Sequence, residues 1–203
     1  MKRTAAATAV LLVGVALAAH AQTDRGAPVA VVADAANVAQ VPFGVGERVS
    51  YRVAWGPLRG SASSEVLRVD TVRGRPAYHL SFRVTGGAIG LRVNDHQESW
   101  LDVGQLYSHR FRQDLNQPRY TRLRTLDFFP AEGKWRQVER SDSGPLASTQ
   151  PLDDVAFLYW VRTLPLEVGR TYEFNRYYKE SGNPVQVTVL RRERVTVRAG
   201  TYN

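Results

Sequence analysis

The most constraining feature of the sequence is an alternation of apolar and polar residues that runs through most of the chain. In the first clear example, Val49, Tyr51, Val53 and Trp55 alternate with polar or small residues, and Gly56-Pro57 follows. Because successive side chains of a strand point to opposite faces, this period of two predicts antiparallel strands with one buried face. The pattern recurs in residues 61–70, 78–85, 89–102, 106–113, 120–128, around Trp135 and Val138, and in 171–178 and 185–197.

Turn-forming residues separate these predicted strands. Gly86-Gly87 is expected to break the third strand, and Asn116-Gln117-Pro118 is expected to join the fifth to the sixth. Ala199-Gly200 predicts a last turn, after which the chain stops at Asn203, where a partner strand should begin. Since natural sheets protect their edges, we expect residues 42–203 to form a single β-rich domain that is incomplete at its C-terminal end.

One segment, residues 152–164, departs from the alternation. Asp153 or Asp154 can cap a helix start, and Pro165 disfavours its continuation. Seven consecutive apolar residues cover nearly every side of such a helix, so we expect it to be buried nearly all round. A buried core strand is the alternative. The sequence therefore predicts a mainly β fold, in which a curved antiparallel sheet (a half-barrel or open barrel) wraps one apolar helix.

The N-terminal 21 residues have the features of a secretory signal peptide. Lys2 and Arg3 precede an apolar run over residues 5–19, and small residues then predict cleavage between Ala21 and Gln22. An uncleaved anchor is the alternative, but the run is short for a membrane span. Cleavage removes two positive charges and takes the formal charge from +8 to +6. We therefore expect an exported protein of the periplasm or cell envelope, with no transmembrane segment in the mature chain.

Composition narrows the class of protein further. Residues 22–41 show neither alternation nor caps and are interpreted as a flexible leader. The chain has no Cys, which excludes disulfides, thiolate zinc sites and Cys nucleophiles. Only three of its 27 basic residues are Lys, and the Arg residues are spread along the chain. A nucleic-acid binder usually clusters its basic residues, so no nucleic-acid partner is expected.

Four segments, taken in order, resemble the bacterial family called domain of unknown function 3108. They are Phe43–Gly56, Asn94–Asp102, Leu152–Gly169 and Ala199–Tyr202. The resemblance implies an exported bacterial protein without an established activity, and it implies further strands beyond the Ala-Gly-Thr turn. It also implies a sheet around a helix, similar to the half-barrels of periplasmic lipoprotein carriers. Such a likeness of fold is a weak guide to function.

Two groups of residues are candidates for binding. The aromatic residues Trp55, Trp100, Tyr159 and Trp160 could line a lipid cavity under the sheet, or they could simply fill the core. If the fifth and sixth strands form a hairpin, four guanidinium groups could share one face and bind an anion; the alternative is that they diverge into water or pair with acidic residues. These four are Arg110, Arg112, Arg122 and Arg124.

Candidates for catalysis or metal binding carry weaker signals. His96 and Glu98 lie two residues apart on one strand face but match no metal motif. Ser61 lacks the glycine pattern of a nucleophile elbow. Carboxylate pairs for glycoside hydrolysis could be drawn from Asp95, Glu98, Asp102 and Asp114. No catalytic residue, metal site or cofactor is predicted.

Three functions follow as expectations. The first is a non-enzymatic envelope protein that binds an apolar or amphiphilic ligand, or a protein partner, in a half-barrel. The second is a structural or interaction protein of the envelope without a small ligand. The third is a carbohydrate-active hydrolase. The sequence leaves the oligomeric state and the identity of the ligand open.

Overall fold

A computed structural model describes residues 22–25, 40–55, 58–88 and 91–202, and for residues 22–25, 55 and 58 it describes the backbone alone. Nine strands form one antiparallel sheet in which each strand pairs with its neighbours in chain order, and the two end strands do not pair to close it within the described residues. The predicted mainly β architecture is confirmed. The strands are β1 (Gln22–Arg25), β2 (Glu47–Trp55), β3 (Leu58–Val72), β4 (Arg75–Ala88), β5 (Leu91–Asp102), β6 (Ser108–Gln117), β7 (Tyr120–Phe129), β8 (Lys134–Gln137) and β9 (Ser143–Pro145).

The edge strand β1 lies inside the segment predicted to be a flexible leader. Gln22–Arg25 pairs with β2, with Gln22 opposite Ser50 and Arg25 opposite Glu47. The sequence pattern predicts no strand at these four residues of the flexible leader, because an edge strand can form through backbone hydrogen bonds without an apolar pattern. The remaining leader residues 26–39 and the predicted signal 1–21, including Ala21, lie outside the described residues.

The glycine pair that was expected to end β4 lies within the strand. β4 continues to Ala88, and Gly86 pairs with Gly60 of β3. A Cβ atom on Gly86 would lie 2.7 Å from the Arg59 carbonyl oxygen and 2.9 Å from the Gly60 Cα. The glycines therefore permit a close approach of two backbones. Similarly, Asn116 and Gln117 belong to β6, so the predicted turn is displaced to Pro118 and Arg119.

The predicted helix is confirmed, but it is shorter than expected and buried on one side only. Helix α1 spans Asp154–Trp160 and continues as a 3₁₀ turn over Val161–Thr163. The Asp153 carboxylate accepts hydrogen bonds from two backbone N–H groups of the first turn, those of Val155 and Ala156, both at 2.9 Å. Leu158 is 43% exposed, so the prediction that the helix is buried nearly all round is wrong.

The hydrophobic core lies between α1 and one face of the sheet, which we call the inner face. Leu80, Leu101, Phe111, Leu126 and Phe128 are almost completely buried there. The opposite face, here called the outer face, carries mostly polar and charged side chains. Since sheet side chains alternate between faces, every strand contributes to both surfaces.

The C-terminal region forms two separate hairpins. The predicted strands 171–178 and 185–197 are shorter than expected: β10 (Thr171–Phe174) pairs with β11 (Val185–Thr188), and β12 (Val195–Val197) pairs with β13 (Gly200–Tyr202). A partner strand for β12 therefore begins at Gly200, earlier than predicted. No helix in the described part of the chain is long and apolar enough to cross a membrane.

Candidate functional site

The inner face changes chemically across the sheet beyond the core. One row of cross-strand neighbours contains Tyr51, Ala62, Val84 and the buried carboxylate Asp95 on β2 to β5, and on β6 and β7 Leu115 pairs with Arg122 on the same face. The adjacent row begins at Val49, passes Phe82, and reaches a cation through two glutamines. Its members, in order, are Val49, Ser64, Phe82, Gln97, Gln113 and Arg124.

The apolar end of this face is only partly covered. Tyr51, Val53, Phe82 and Val84 are half-buried, and we call them the tip strip. Beside them, the glycine pair Gly60 and Gly86 leaves the sheet surface without side chains. The tip strip therefore lies beside a flat part of the sheet formed by the glycine pair, and the two together form an apolar surface.

The other end of the inner face is positively charged, and we call Arg122, Arg124 and Lys179 the basic corner. Arg124 donates to the Tyr178 hydroxyl at 3.0 Å and to the Gln113 amide oxygen at 2.6 Å. The Lys179 Nζ lies 5.3 Å from the centroid of the Tyr178 ring. Burial and the charges of Arg124 and Arg122 lower the pKa of Lys179. Three cations thus share one corner, and Asp154 is the acidic group that offsets them in part.

The outer face is organised as a ladder of paired charges. His79, Trp100, Arg110 and Asp127 are cross-strand neighbours on β4 to β7. His79 stacks on the Trp100 indole with ring centroids 4.3 Å apart. Arg110 binds both Asp127 oxygens, at 2.6 and 2.9 Å. These bonds fix the aromatic and charged groups relative to one another.

Glu98 lies at the centre of the outer ladder. It accepts from His79 at 2.9 Å and from Arg112 at 2.9 Å. The hydrogen bond from His79, with that from Arg112, lowers the pKa of Glu98 to about 2 against the cost of burial. Both of its oxygens are therefore occupied, and the group stays ionised.

The predicted metal pair shares a face but does not form a site. His96 bonds the Ser81 hydroxyl at 3.0 Å, and its Nδ1 lies 4.0 Å from Glu98. Among the described residues, no three His, Asp or Glu side chains are grouped to hold a metal ion. Ser81, His96 and Glu98 thus follow one another in space as serine, histidine and carboxylate. This arrangement could not be recognised from the amino-acid sequence. Ser81 is only 4% exposed, in the middle of the sheet.

The four aromatic residues predicted to line one cavity lie on different surfaces. Tyr159 and Trp160 are buried in the core, where Tyr159 packs edge-on against Phe43. Trp100 lies on the outer face, and the side chain of Trp55 is outside the described part of the structure. The prediction that these residues share a cavity is wrong for Trp100, because its side chain lies on the face of the sheet opposite α1.

The predicted hairpin of β6 and β7 is confirmed, but its register separates the four arginines. Arg110 lies opposite Asp127 and Arg112 opposite Thr125, on the outer face. Arg122 lies opposite Leu115 and Arg124 opposite Gln113, on the inner face. The expectation of one four-guanidinium cluster is wrong, because a hairpin pairs odd-numbered with even-numbered positions here. Lys179, which sequence reasoning missed, joins the inner pair through the loop after β10.

The carboxylates considered for glycoside hydrolysis each have a structural partner. Asp95 accepts from the Asn116 backbone and the Gln117 amide, and Asp102 accepts from His109 and Arg75, which lowers its pKa against the cost of burial. Asp114 lies 3.5 Å from Arg112. Ser61, the weak nucleophile candidate, bonds Thr85 on an exposed surface.

Within the described residues, these features define a mainly β protein with an open antiparallel sheet, one short α-helix on its inner face and a polar, charged outer face. The chain matches the model of the family described as "Protein of unknown function (DUF3108)" over residues 50–203. It belongs to that family, as its sequence segments predicted. No curated protein and no solved structure matches the chain.

Proposed function

We propose that this protein is an exported, non-enzymatic binding protein of the cell envelope, and that it binds an amphiphile with an anionic head group on the inner face of its sheet. The observation that carries the proposal is the gradient along that face, from the apolar tip strip to the basic corner. An apolar tail would lie on Tyr51, Phe82 and Val84, and the head group would meet Arg122 and Lys179.

The dimensions of the sheet are consistent with such a ligand. The inner face from β2 to β7 spans five inter-strand spacings, or about 24 Å. An extended tail can lie across the strands over this distance. Burial of apolar area on the tip strip would favour binding by about 25 cal/mol per Å², while the guanidinium groups of Arg122 and Arg124 suit a phosphate or carboxylate.

Export rests on the N-terminal sequence alone. A charged start at Lys2 and Arg3, an apolar run and small residues before Gln22 are typical of a cleaved signal peptide. Cleavage after Ala21 would make Gln22, the first residue of β1, the N-terminus of the mature protein. The mature chain would meet amphiphiles in the envelope.

The non-enzymatic part of the proposal is supported by the state of the titratable groups. Asp102, Glu98 and His96 are engaged with neighbouring side chains. A general acid or base needs a free position beside its substrate. A structural envelope protein without any ligand is the competing function.

The experiment is to express the full chain with its N-terminal residues in a Gram-negative host and purify it from the periplasm. Mass spectrometry should give a mature N-terminus at Gln22 and should detect co-purifying anionic lipids. A Val84→Glu variant places a charge on the tip strip and should lose them, whereas Arg83→Glu, on the exposed outer face of the same strand, should retain them. A lipid-free wild-type protein would favour the structural alternative.

A further inference from the structure

The arginine residues on the outer face fall into two groups that differ in their partners. In the half of the sheet towards the turn between β3 and β4, arginines bond to carboxylates. Arg68, for example, bonds to Asp70 at 2.7 Å. The other half, towards Ala88 at the end of β4, carries four exposed arginines. We call these four the outer tip patch, and they are Arg52, Arg59, Arg83 and Arg92.

The strand register keeps acidic residues away from the outer tip patch. Two rows of cross-strand neighbours run through it from β2 to β5, and neither contains an acidic residue. The rows are Arg52, Ser61, Thr85 and Asn94, and Ala54, Arg59, Gly87 and Arg92. Within the described part of the chain, Arg52, Arg83 and Arg92 form no ion pair. The lack of acidic partners therefore belongs to this patch and not to the whole outer face.

The arginines of the patch are close enough to act as one positive surface. Neighbouring strands are about 4.8 Å apart, so the Cα atoms of Arg59 and Arg92 lie about 10 Å from each other across Gly87. Arg52 lies one strand from Arg59 and two residues along, at about 8 Å. The screening length in physiological salt is about 8 Å. The fields of these cations therefore overlap, and they attract an anionic partner that is as broad as the patch.

The same end of the sheet is apolar on its inner face. Leu91 and Arg92 are consecutive residues at the start of β5, so their side chains lie on opposite faces. Leu91 is 44% exposed, and Val53 and Val84 of the tip strip are half-buried. This end therefore carries cations on one face and apolar side chains on the other. A membrane interface has the same order, with charged head groups above an acyl boundary.

We propose that this end of the sheet docks on a lipid bilayer with anionic head groups, which the outer tip patch contacts while Leu91 enters the acyl boundary. A soluble polyanion matches the arginines alone, whereas an anionic bilayer matches both the arginines and Leu91. Docking is separate from the proposed binding of an amphiphile, because the head group of that ligand meets the basic corner on the other face of the sheet.

The test is co-sedimentation of the full chain with vesicles of phosphatidylcholine, alone or with about one third phosphatidylglycerol. The wild type should bind the anionic vesicles and not the neutral ones. Since each surface arginine contributes about fivefold, combining Arg52→Gln with Arg92→Gln should weaken binding by about tenfold or more. The matched control combines Arg68→Gln with Arg136→Gln. It removes the same charge from paired positions on the outer face and should change binding by about twofold at most.

A second comparison separates a bilayer from other anionic partners. Leu91→Ser should weaken binding to the anionic vesicles by about threefold, and it should leave binding to dextran sulfate, a soluble polyanion, unchanged. If Leu91→Ser bound the vesicles as the wild type does, the patch would be a polyanion site and the bilayer proposal would be overturned. Equal vesicle binding by the wild type and by the Arg52 and Arg92 double variant would overturn it as well.

Two further measurements keep this proposal apart from the proposed function. The Arg52 and Arg92 double variant should bind the fluorescent fatty acid dansyl-undecanoic acid with wild-type affinity. Arg122→Glu, in the basic corner, should bind the anionic vesicles as the wild type does. A protein that binds vesicles but not the fatty acid would contradict only the proposed function, and the reverse result would contradict only the docking surface.

Discussion

Replacement of Asp153 by alanine tests how the helix is attached to the sheet. Asp153 is completely buried, and its side chain joins α1 to β5. Its carboxylate caps α1 through Val155 and Ala156 and also accepts from the Ser99 hydroxyl of β5 at 2.7 Å. The alanine variant loses both kinds of contact at once.

The expected cost follows from these bonds. Loss of a helix cap costs about 1 kcal/mol, and a buried hydroxyl left without its partner costs about 1–3 kcal/mol. Because Ser99 is fully buried, water does not replace the lost acceptor. We therefore expect Asp153→Ala to lower the free energy of unfolding by about 2–4 kcal/mol.

The assay is urea denaturation at pH 7, followed by circular dichroism. At about 2 kcal/mol per M, typical of small proteins, the midpoint should fall by about 1–2 M. Asp114→Ala is the matched control, since its side chain is 52% exposed and a surface ion pair contributes little. If Asp153→Ala lowered the urea midpoint as little as this control does, the described attachment of α1 to the sheet would be wrong.

Two further predictions concern the same framework. Burial raises the pKa of Asp153 to about 7 from its ordinary value of 3.8. Because folding then favours the protonated form, the free energy of unfolding of the wild type should decline from about pH 4 to pH 7 relative to that of Asp153→Asn. Parallel pH profiles of the two proteins in urea unfolding would contradict this. Gly86→Ala should lower the free energy of unfolding by about 1–3 kcal/mol because its Cβ would press on β3. Gly44→Ala should not, because Gly44 has open space around it. Equal urea midpoints for the two variants would refute the close approach of the β3 and β4 backbones.

The strand pattern was predictable because the core side of each strand is apolar. Tyr78, Leu80 and Phe82 alternate with polar residues, and the structure places them on the inner face. The helix was predictable for a similar reason, since Asp153 caps it and Pro165 follows its end. Local chemistry alone determines these features.

Register and pairing partners were not predictable in the same way. Whether Arg110 and Arg122 share a face depends on the residue at which the β6–β7 turn closes, and a displacement by one position moves a side chain to the other face. The role of Gly86 likewise depends on Gly60, a residue 26 positions away in the sequence. The outer-face ladder was hidden because each of its charged residues, taken alone, resembles an ordinary solvated side chain.

The central claim is that the inner face binds an anionic amphiphile at the basic corner. The most direct measurement is a fluorescence titration of the full chain with dansyl-undecanoic acid and with its uncharged methyl ester. We predict that the acid binds more tightly than the ester, and that Arg122→Glu weakens binding of the acid by about tenfold while Arg83→Glu on the outer face does not. Equal binding of the acid by wild type and by Arg122→Glu, or no binding at all, would contradict the account.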